Sequence, residues 1–159
     1  MHDIINRLRT KKADEGFTLI ELLVVVVIIG VLVAIAVPVY LNYRKGAADK
    51  SAQSDVRGAV SAVEQFYTDN GNTYPVSQTA QNYGSTPKAA IVLNNAANNA
   101  SIQTITLSDK TQLGYVNATS YYLLCANNDG GSGKWYIYNS QNGGSVKAAT
   151  AAVALATCA

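Results

Sequence analysis

The feature that most constrains this chain is an apolar run from Phe17 to Val37. It consists almost wholly of Leu, Ile, Val and Ala, and as an α-helix it would rise roughly 31 Å, enough to span the hydrocarbon core of a bilayer. Glu21 nevertheless lies inside it. A carboxylate placed towards the bilayer centre costs on the order of 2.5–3.5 kcal/mol, so a charge in such a segment usually marks a function.

Two ordinary interpretations of this run stay open at the level of the residues. It is preceded by a basic leader, residues 1–16, and followed by Arg44 and Lys45, so the charge bias across it is small. An ordinary signal peptide would use the small-x-small pattern at residues 34–36, but the run exceeds the usual apolar length of such peptides, about 7–15 residues. A plain membrane anchor explains the length and leaves Glu21 unexplained.

The composition argues against an enzyme. The sole histidine of the 159 residues is His2, so a His-based triad or a His-ligated metal site is impossible in the distal chain. The glycine-rich "NNDGGSGK" matches no phosphate-binding or dinucleotide motif and indicates a turn. A net charge of +2 with scattered lysines gives no sign of a nucleic-acid surface. We therefore predict no catalytic residues, no metal and no cofactor.

Beyond the apolar run the pattern becomes that of an amphipathic helix. Pro38 is expected to kink the helix without ending it, because helical periodicity resumes downstream. Apolar residues recur there at three- and four-residue spacing: Ala52, Val56, Ala59, Val60, Val63 and Tyr67. Asn70 and Gly71 suit a C-terminal cap, and Pro75 prevents resumption. One nearly continuous helix of about 50 residues is predicted.

After Pro75 the composition changes to Asn, Ser, Thr, Gly and Ala. Residues 76–100 are predicted to form a loop region with one short element around Ala89–Leu93. Segments rich in β-branched or aromatic residues predict strands at Ser101–Ser108, Ala118–Asn127 and Lys134–Ser140. Short links favour an antiparallel meander, and the Ala-rich end is expected to be a tail clipped onto it. The predicted fold is α+β, a long N-terminal helix packed on a small antiparallel sheet.

Gly16 followed by "FTLIELLVVVVIIGVLVAIAVPVYLNY" resembles the class III signal of type IV pilins. That signal has a short basic leader, a Gly, a Phe, and Glu as the fifth residue of the processed chain, and Pro38 falls where such pilins often carry a kinking proline. The detailed resemblance covers about residues 10–75. The stretches "TKKADEGFTLIELL" and "SDVRGAVSAVEQFYTDNGNTYP" resemble pilins of Gram-positive actinobacteria.

The resemblance implies four parts. The first is a leader peptide (residues 1–16), followed by the membrane-spanning and assembly half of the helix (17–38) and its amphipathic half (39–70). The last is a head (71–159) that consists of an antiparallel sheet with an αβ-loop and a C-terminal disulfide loop. A prepilin peptidase would cut between Gly16 and Phe17 and methylate the new amine of Phe17. An assembly platform and its ATPase would then move subunits from the inner membrane into a helical homo-oligomeric filament on the cell surface.

The same resemblance gives Glu21 a role. It would lie only about 6 Å along the helix axis from the new N-terminus, near the interface in an isolated subunit. In a filament that excludes water its charge needs a partner, and the Phe17 ammonium of a neighbouring subunit would supply one. Glu21 would thereby set the register between subunits.

The two cysteines, Cys125 and Cys158, would form a disulfide in the oxidising exterior. It would contribute roughly 3–4 kcal/mol to stability in the chain-entropy model, and two free buried thiols are the alternative.

Two other functions stay open. One is a pseudopilin of a type II secretion or DNA-uptake apparatus, whose relatives typically bind calcium. The other is a membrane-anchored binding domain that never polymerises.

Overall fold

The structure is a computed structural model that describes residues 17–95, 100–149 and 151–159. The chain divides into an N-terminal unit that ends at Tyr40 and a C-terminal unit, Leu41–Ala159. Helix α1 runs from Leu19 to Asp69, which confirms the prediction of one continuous helix. Pro38 lies inside α1 and does not end it. The bend expected at Pro38 stays a prediction.

The N-terminal unit exposes its apolar side chains. All of residues 17–40 are exposed, including Leu22, Val31 and Ile35, each more than half accessible. By length and composition this part of α1 is apolar enough to cross a membrane. Since the apolar groups surround the helix rather than forming one stripe, its surface suits lipid or other helices on all sides.

In the C-terminal unit α1 buries one face. Its fully buried apolar residues recur at alternating spacings of four and three, at Ala52, Val56, Ala59, Val63 and Phe66. The predicted face is confirmed in its main positions, although Phe66 is buried where Tyr67 was expected. The helix ends as the sequence indicates: Gly71 has a φ of 63°, and the N–H of Asn72 donates to the carbonyl of Tyr67 at 2.9 Å. This is the bond pattern of a glycine-terminated helix.

Seven strands follow, in two antiparallel sheets. Their bounds are β1 Gln78–Gln81, β2 Ala90–Asn94, β3 Ala100–Thr106, β4 Thr111–Asn117, β5 Tyr122–Asn128, β6 Trp135–Asn139 and β7 Lys147–Ala149. The larger sheet has the order β1-β4-β5-β6-β7, and β2 and β3 form a separate two-stranded sheet. The α+β prediction is confirmed, with α1 packed on antiparallel strands.

Two details of the predicted meander were wrong. The segment predicted at Ser101–Ser108 becomes β3, which pairs with β2 rather than joining the main sheet. The main sheet instead contains β4, where no strand was predicted, and the short β1 lies within the predicted loop region. The Ala-rich end contributes a short strand, β7, which pairs with β6 before the terminal segment.

The two faces of the main sheet are covered differently. Tyr122, Leu124 and Ala126 of β5 join the core under α1, together with residues of both sheets. Cys125, between them, faces the other way and is joined by a disulfide to Cys158. Gly114 of β4 lies directly opposite Cys125, and a Cβ there would overlap the carbonyl oxygen of Leu155. The C-terminal segment therefore covers the second face, and glycine allows its close approach.

Candidate functional site

The start of α1 is closed by a reciprocal pair of hydrogen bonds. The Thr18 backbone N–H and hydroxyl donate to Oε2 of Glu21, at 2.9 and 2.7 Å. In return the Glu21 backbone N–H donates to the Thr18 hydroxyl oxygen at 3.3 Å. Since α1 begins at Leu19, Thr18 is the N-cap residue and Glu21 the third helical residue, which is the arrangement of a capping box.

This cap gives Glu21 a role within its own chain. The first N–H groups of a helix lack intrahelical partners, and in lipid each unsatisfied group costs several kcal/mol. The carboxylate also favours the positive end of the helix dipole. Both hydrogen bonds from Thr18 end on Oε2, so Oε1 remains for a donor beyond the described residues. Glu21 can therefore cap its own helix through Oε2 and, at the same time, accept a hydrogen bond from a second chain through Oε1.

Sequence reasoning missed this cap, although its signal is present. Thr18-Leu19-Ile20-Glu21 is a T-x-x-E pattern immediately before an apolar run. From the sequence, Glu21 was expected to be a charge without a partner in its own chain, whereas Thr18 provides one. The polar side chain thus begins the helix instead of interrupting it.

The other proposed site residues lie apart from one another. Gly16, on one side of the expected cleavage site, lies outside the described residues, while Phe17 is 83% exposed. Pro38 is within α1, and Cys125 and Cys158 form the disulfide of the C-terminal unit. Among the described residues no group of three or more His, Cys, Asp or Glu side chains is arranged to hold a metal ion.

Carboxylates of α1 further along the chain hold it to the sheets. Asp49, itself buried, accepts from the Ser132 backbone N–H at 2.9 Å and from the Ser132 hydroxyl. Asp55 accepts in the same way from Ser108, with both distances 2.8 Å. Each carboxylate thus caps a turn in the sheet region with one N–H and one O–H donor, which fixes that turn against the helix.

A third carboxylate joins an aromatic cluster. Glu64 accepts from the hydroxyl of Tyr122 at 2.7 Å, and the Tyr122 ring lies 5.3 to 5.9 Å, centroid to centroid, from the rings of Tyr74, Tyr115 and Tyr138. Burial, and then the hydrogen bond to Glu64, raise the pKa of Tyr122 above its ordinary value. These contacts stabilise the fold by joining α1 to the main sheet.

Comparison with known proteins finds a family model and curated relatives that match part of this chain. The model of the prokaryotic N-terminal methylation motif matches residues 11–37. A fimbrial protein of Eikenella corrodens is 38% identical over 76 residues, 48% of this chain and 49% of that protein. A type IV major pilin of Neisseria gonorrhoeae is 38% identical over 74 residues, 46% of this chain and 44% of the pilin.

The type II secretion system core protein G of Aeromonas hydrophila is 35% identical over 68 residues, 43% of this chain and 47% of that protein. The chain thus spans about half the length of the curated relatives it matches. The actinobacterial resemblance stays a prediction. With its methylation motif and its long helix packed on an antiparallel sheet, this chain is similar to type IV pilins.

Proposed function

We propose that this protein is the structural subunit of a type IV pilus. The observation that carries the proposal is the exposed surface of α1: every residue from 17 to 47 is exposed, and almost all of those before Tyr40 are apolar. Soluble monomers rarely expose contiguous apolar patches beyond a few hundred Å². Such a surface needs lipid around it before assembly and other apolar helices around it afterwards.

The subunit is made as a membrane-inserted prepilin and cut between Gly16 and Phe17 by a prepilin peptidase, which methylates the Phe17 amine. A platform and its ATPase then transfer it to the filament on the cell surface. The match to the methylation motif and the apolar helix support this sequence of steps. The role is structural and needs no cofactor.

In the filament, Glu21 keeps its cap on Thr18 through Oε2 and accepts from the Phe17 ammonium of a neighbouring subunit through Oε1. A buried carboxylate is tolerated when its charge is paired, and removing one partner of such a pair costs about 3–5 kcal/mol. A subunit placed in the wrong register would leave this charge unpaired. Glu21 therefore selects the correct stagger.

Three variants separate the cap from the charge. Glu21→Gln keeps the side-chain acceptor of the cap and loses the charge. Thr18→Val loses the two hydrogen bonds of the Thr18 hydroxyl and keeps the charge, and Glu21→Val loses both the side-chain acceptor and the charge. All three should be inserted and cleaved, giving a chain that starts at methylated Phe17 by intact mass. We expect Glu21→Gln and Glu21→Val to lose surface filaments, and Thr18→Val to keep them.

The register proposal would be contradicted if Glu21→Gln gave filaments of normal abundance while Thr18→Val gave fewer. Glu21 would then act only as a helix cap. A wild-type chain that begins at Val37 or retains Met1 would instead contradict prepilin processing, and with it the pilus.

The pseudopilin remains the second candidate because the chain is 35% identical to a type II secretion core protein over 68 residues. A pseudopilin of the calcium-binding kind needs six to eight oxygen ligands, commonly from several carboxylates. We expect long filaments, and a deletion strain that loses them while bulk protein secretion continues. Strong stabilisation by micromolar calcium together with a secretion defect would favour the pseudopilin.

A further inference from the structure

A cavity of about 360 Å³ lies within the C-terminal unit, between α1 and two turns of the sheet region. Its cationic lining residues are Arg44 and Lys45 of α1 and Lys110 of the turn before β4. Asp109 is the one carboxylate among the residues that line it. Three cations against one anion give the cavity a net positive charge.

Lys110 has a backbone conformation that lysine rarely adopts. Its φ is 61°, in the left-handed region, at the third position of a turn closed by the Thr111 N–H and the Ser108 carbonyl at 3.1 Å. Such positions favour Gly or Asn. A bulky charged side chain at a strained position indicates that the side chain itself has a use.

The turn that carries Asp109 and Lys110 is held in place by hydrogen bonds. The buried Asn128 donates to the carbonyl of Asp109 at 2.8 Å and to the Thr111 hydroxyl at 3.0 Å, and accepts from the Gly130 N–H at 2.9 Å. The stem of Lys110 passes close to Gly130, where a Cβ would lie 3.6 Å from Lys110 Cδ. The cationic wall of the cavity is therefore preorganised by a buried amide.

We propose that this cavity binds a phosphate group, first of all the phosphodiester of a phospholipid headgroup. Lys45 and Lys110, with Arg44 beside them, would offer charged donors to the phosphate oxygens, and Asp109 would accept from a headgroup hydroxyl or ammonium.

The position in the sequence favours lipid as the source. Arg44 and Lys45 follow the apolar run, and Tyr40 and Tyr43 precede them, with Tyr43 76% exposed. Aromatic residues of this kind mark the membrane–water interface. The lipid source rests on the membrane insertion proposed above, whereas the phosphate chemistry does not.

The test uses the purified full chain in an uncharged detergent. Thermal unfolding is followed by circular dichroism while phosphatidylglycerol, diacylglycerol or sodium phosphate is added, with sodium chloride at equal ionic strength as the reference. We expect phosphatidylglycerol to raise the melting temperature and diacylglycerol to have no effect. Because filament assembly is not measured, this result is independent of the pilus proposal.

Lys110→Gln should weaken the apparent affinity for phosphatidylglycerol about tenfold, the loss of one charge-assisted hydrogen bond. Lys147→Gln, the same charge change on β7, should leave it unchanged. Without ligand, Lys110→Gly should unfold at a higher temperature than the wild type, because glycine relieves the strain of the turn. It should also lose the stabilisation by phosphatidylglycerol. Equal responses from Lys110→Gln and Lys147→Gln would overturn the site. Stabilisation by phosphate without any by phosphatidylglycerol would overturn the lipid source.

Discussion

Replacing Tyr122 by Phe removes a single hydroxyl from the middle of the C-terminal unit. Tyr122 is fully buried, and its hydroxyl donates to Glu64 at 2.7 Å. Hydrogen bonds to charged groups contribute about 1.5–3 kcal/mol. Glu64 is itself exposed, so water can replace the lost donor, and we expect the lower end of that range. The melting temperature of the full chain in uncharged detergent should then fall by roughly 5–10 °C.

The same substitution should change the response to alkaline pH. Burial raises the pKa of Tyr122 and of Tyr115, so both keep their protons in the folded state above pH about 10, where an unfolded tyrosine releases them. The folded state then binds more protons than the unfolded state, and stability falls as pH rises. Each such tyrosine contributes a slope of up to about 1.4 kcal/mol per pH unit. Tyr122→Phe should therefore lose stability less steeply than the wild type above pH about 10.

Tyr121→Phe is the matched control. Tyr121 is the neighbouring residue, is half-buried, and its hydroxyl makes no hydrogen bond to the residues that the structure describes. It should unfold at the wild-type temperature at pH 7. If Tyr122→Phe and Tyr121→Phe behave alike from pH 7 to about pH 11, the reasoning about burial and the Glu64 contact is refuted.

The remaining predictions concern the second face of the sheet and the exposed side of α1, and all use the same thermal assay. Gly114→Ala should destabilise by about 1–3 kcal/mol, because its Cβ would overlap the Leu155 carbonyl oxygen, and an unchanged melting temperature would contradict that packing. Gly58→Ala should instead stabilise by up to about 1 kcal/mol, since nothing lies within 4 Å of its added Cβ, and a loss of stability would reveal a contact there. Cys125→Ser should lower the free energy of unfolding by about 2–4 kcal/mol, and reductant should no longer lower the melting temperature of this variant. A wild-type melting temperature that reductant does not change would contradict a stabilising role of the disulfide.

The helix was predictable because its signals are local. Spacing fixes the buried face from Ala52 to Phe66, and Gly71 terminates the helix with its own backbone conformation. The capping box was equally local, at Thr18 and Glu21, and was missed only because the carboxylate was considered as a membrane charge. Local chemistry therefore accounts for almost all of α1.

The sheet was less predictable because its pairing is decided over long distances. In β4, Gly114 and the polar Gln112 weaken the strand signal, yet the disulfide and the C-terminal segment require a glycine there. Likewise β3 has a clear strand composition, but nothing local says that it pairs with β2 rather than with β5. Strand propensity indicates that a segment suits a half-buried sheet surface, but it does not determine which strand it pairs with.

The carboxylates of α1 differ in where their partners come from, and this distinction supports the proposal for Glu21. Within the described part of the chain, Asp49, Asp55, Glu64 and Asp69 each accept a hydrogen bond from a residue beyond the helix, namely Ser132, Ser108, Tyr122 and Gln103. Among the described residues, Glu21 accepts only from Thr18, three residues away, and through one oxygen. The downstream carboxylates therefore stabilise the fold by binding α1 to residues of other elements. Glu21 differs from them in its partner, which belongs to its own helix end, and in its place, at the end of the segment that would be buried on assembly, where Oε1 would accept from another subunit.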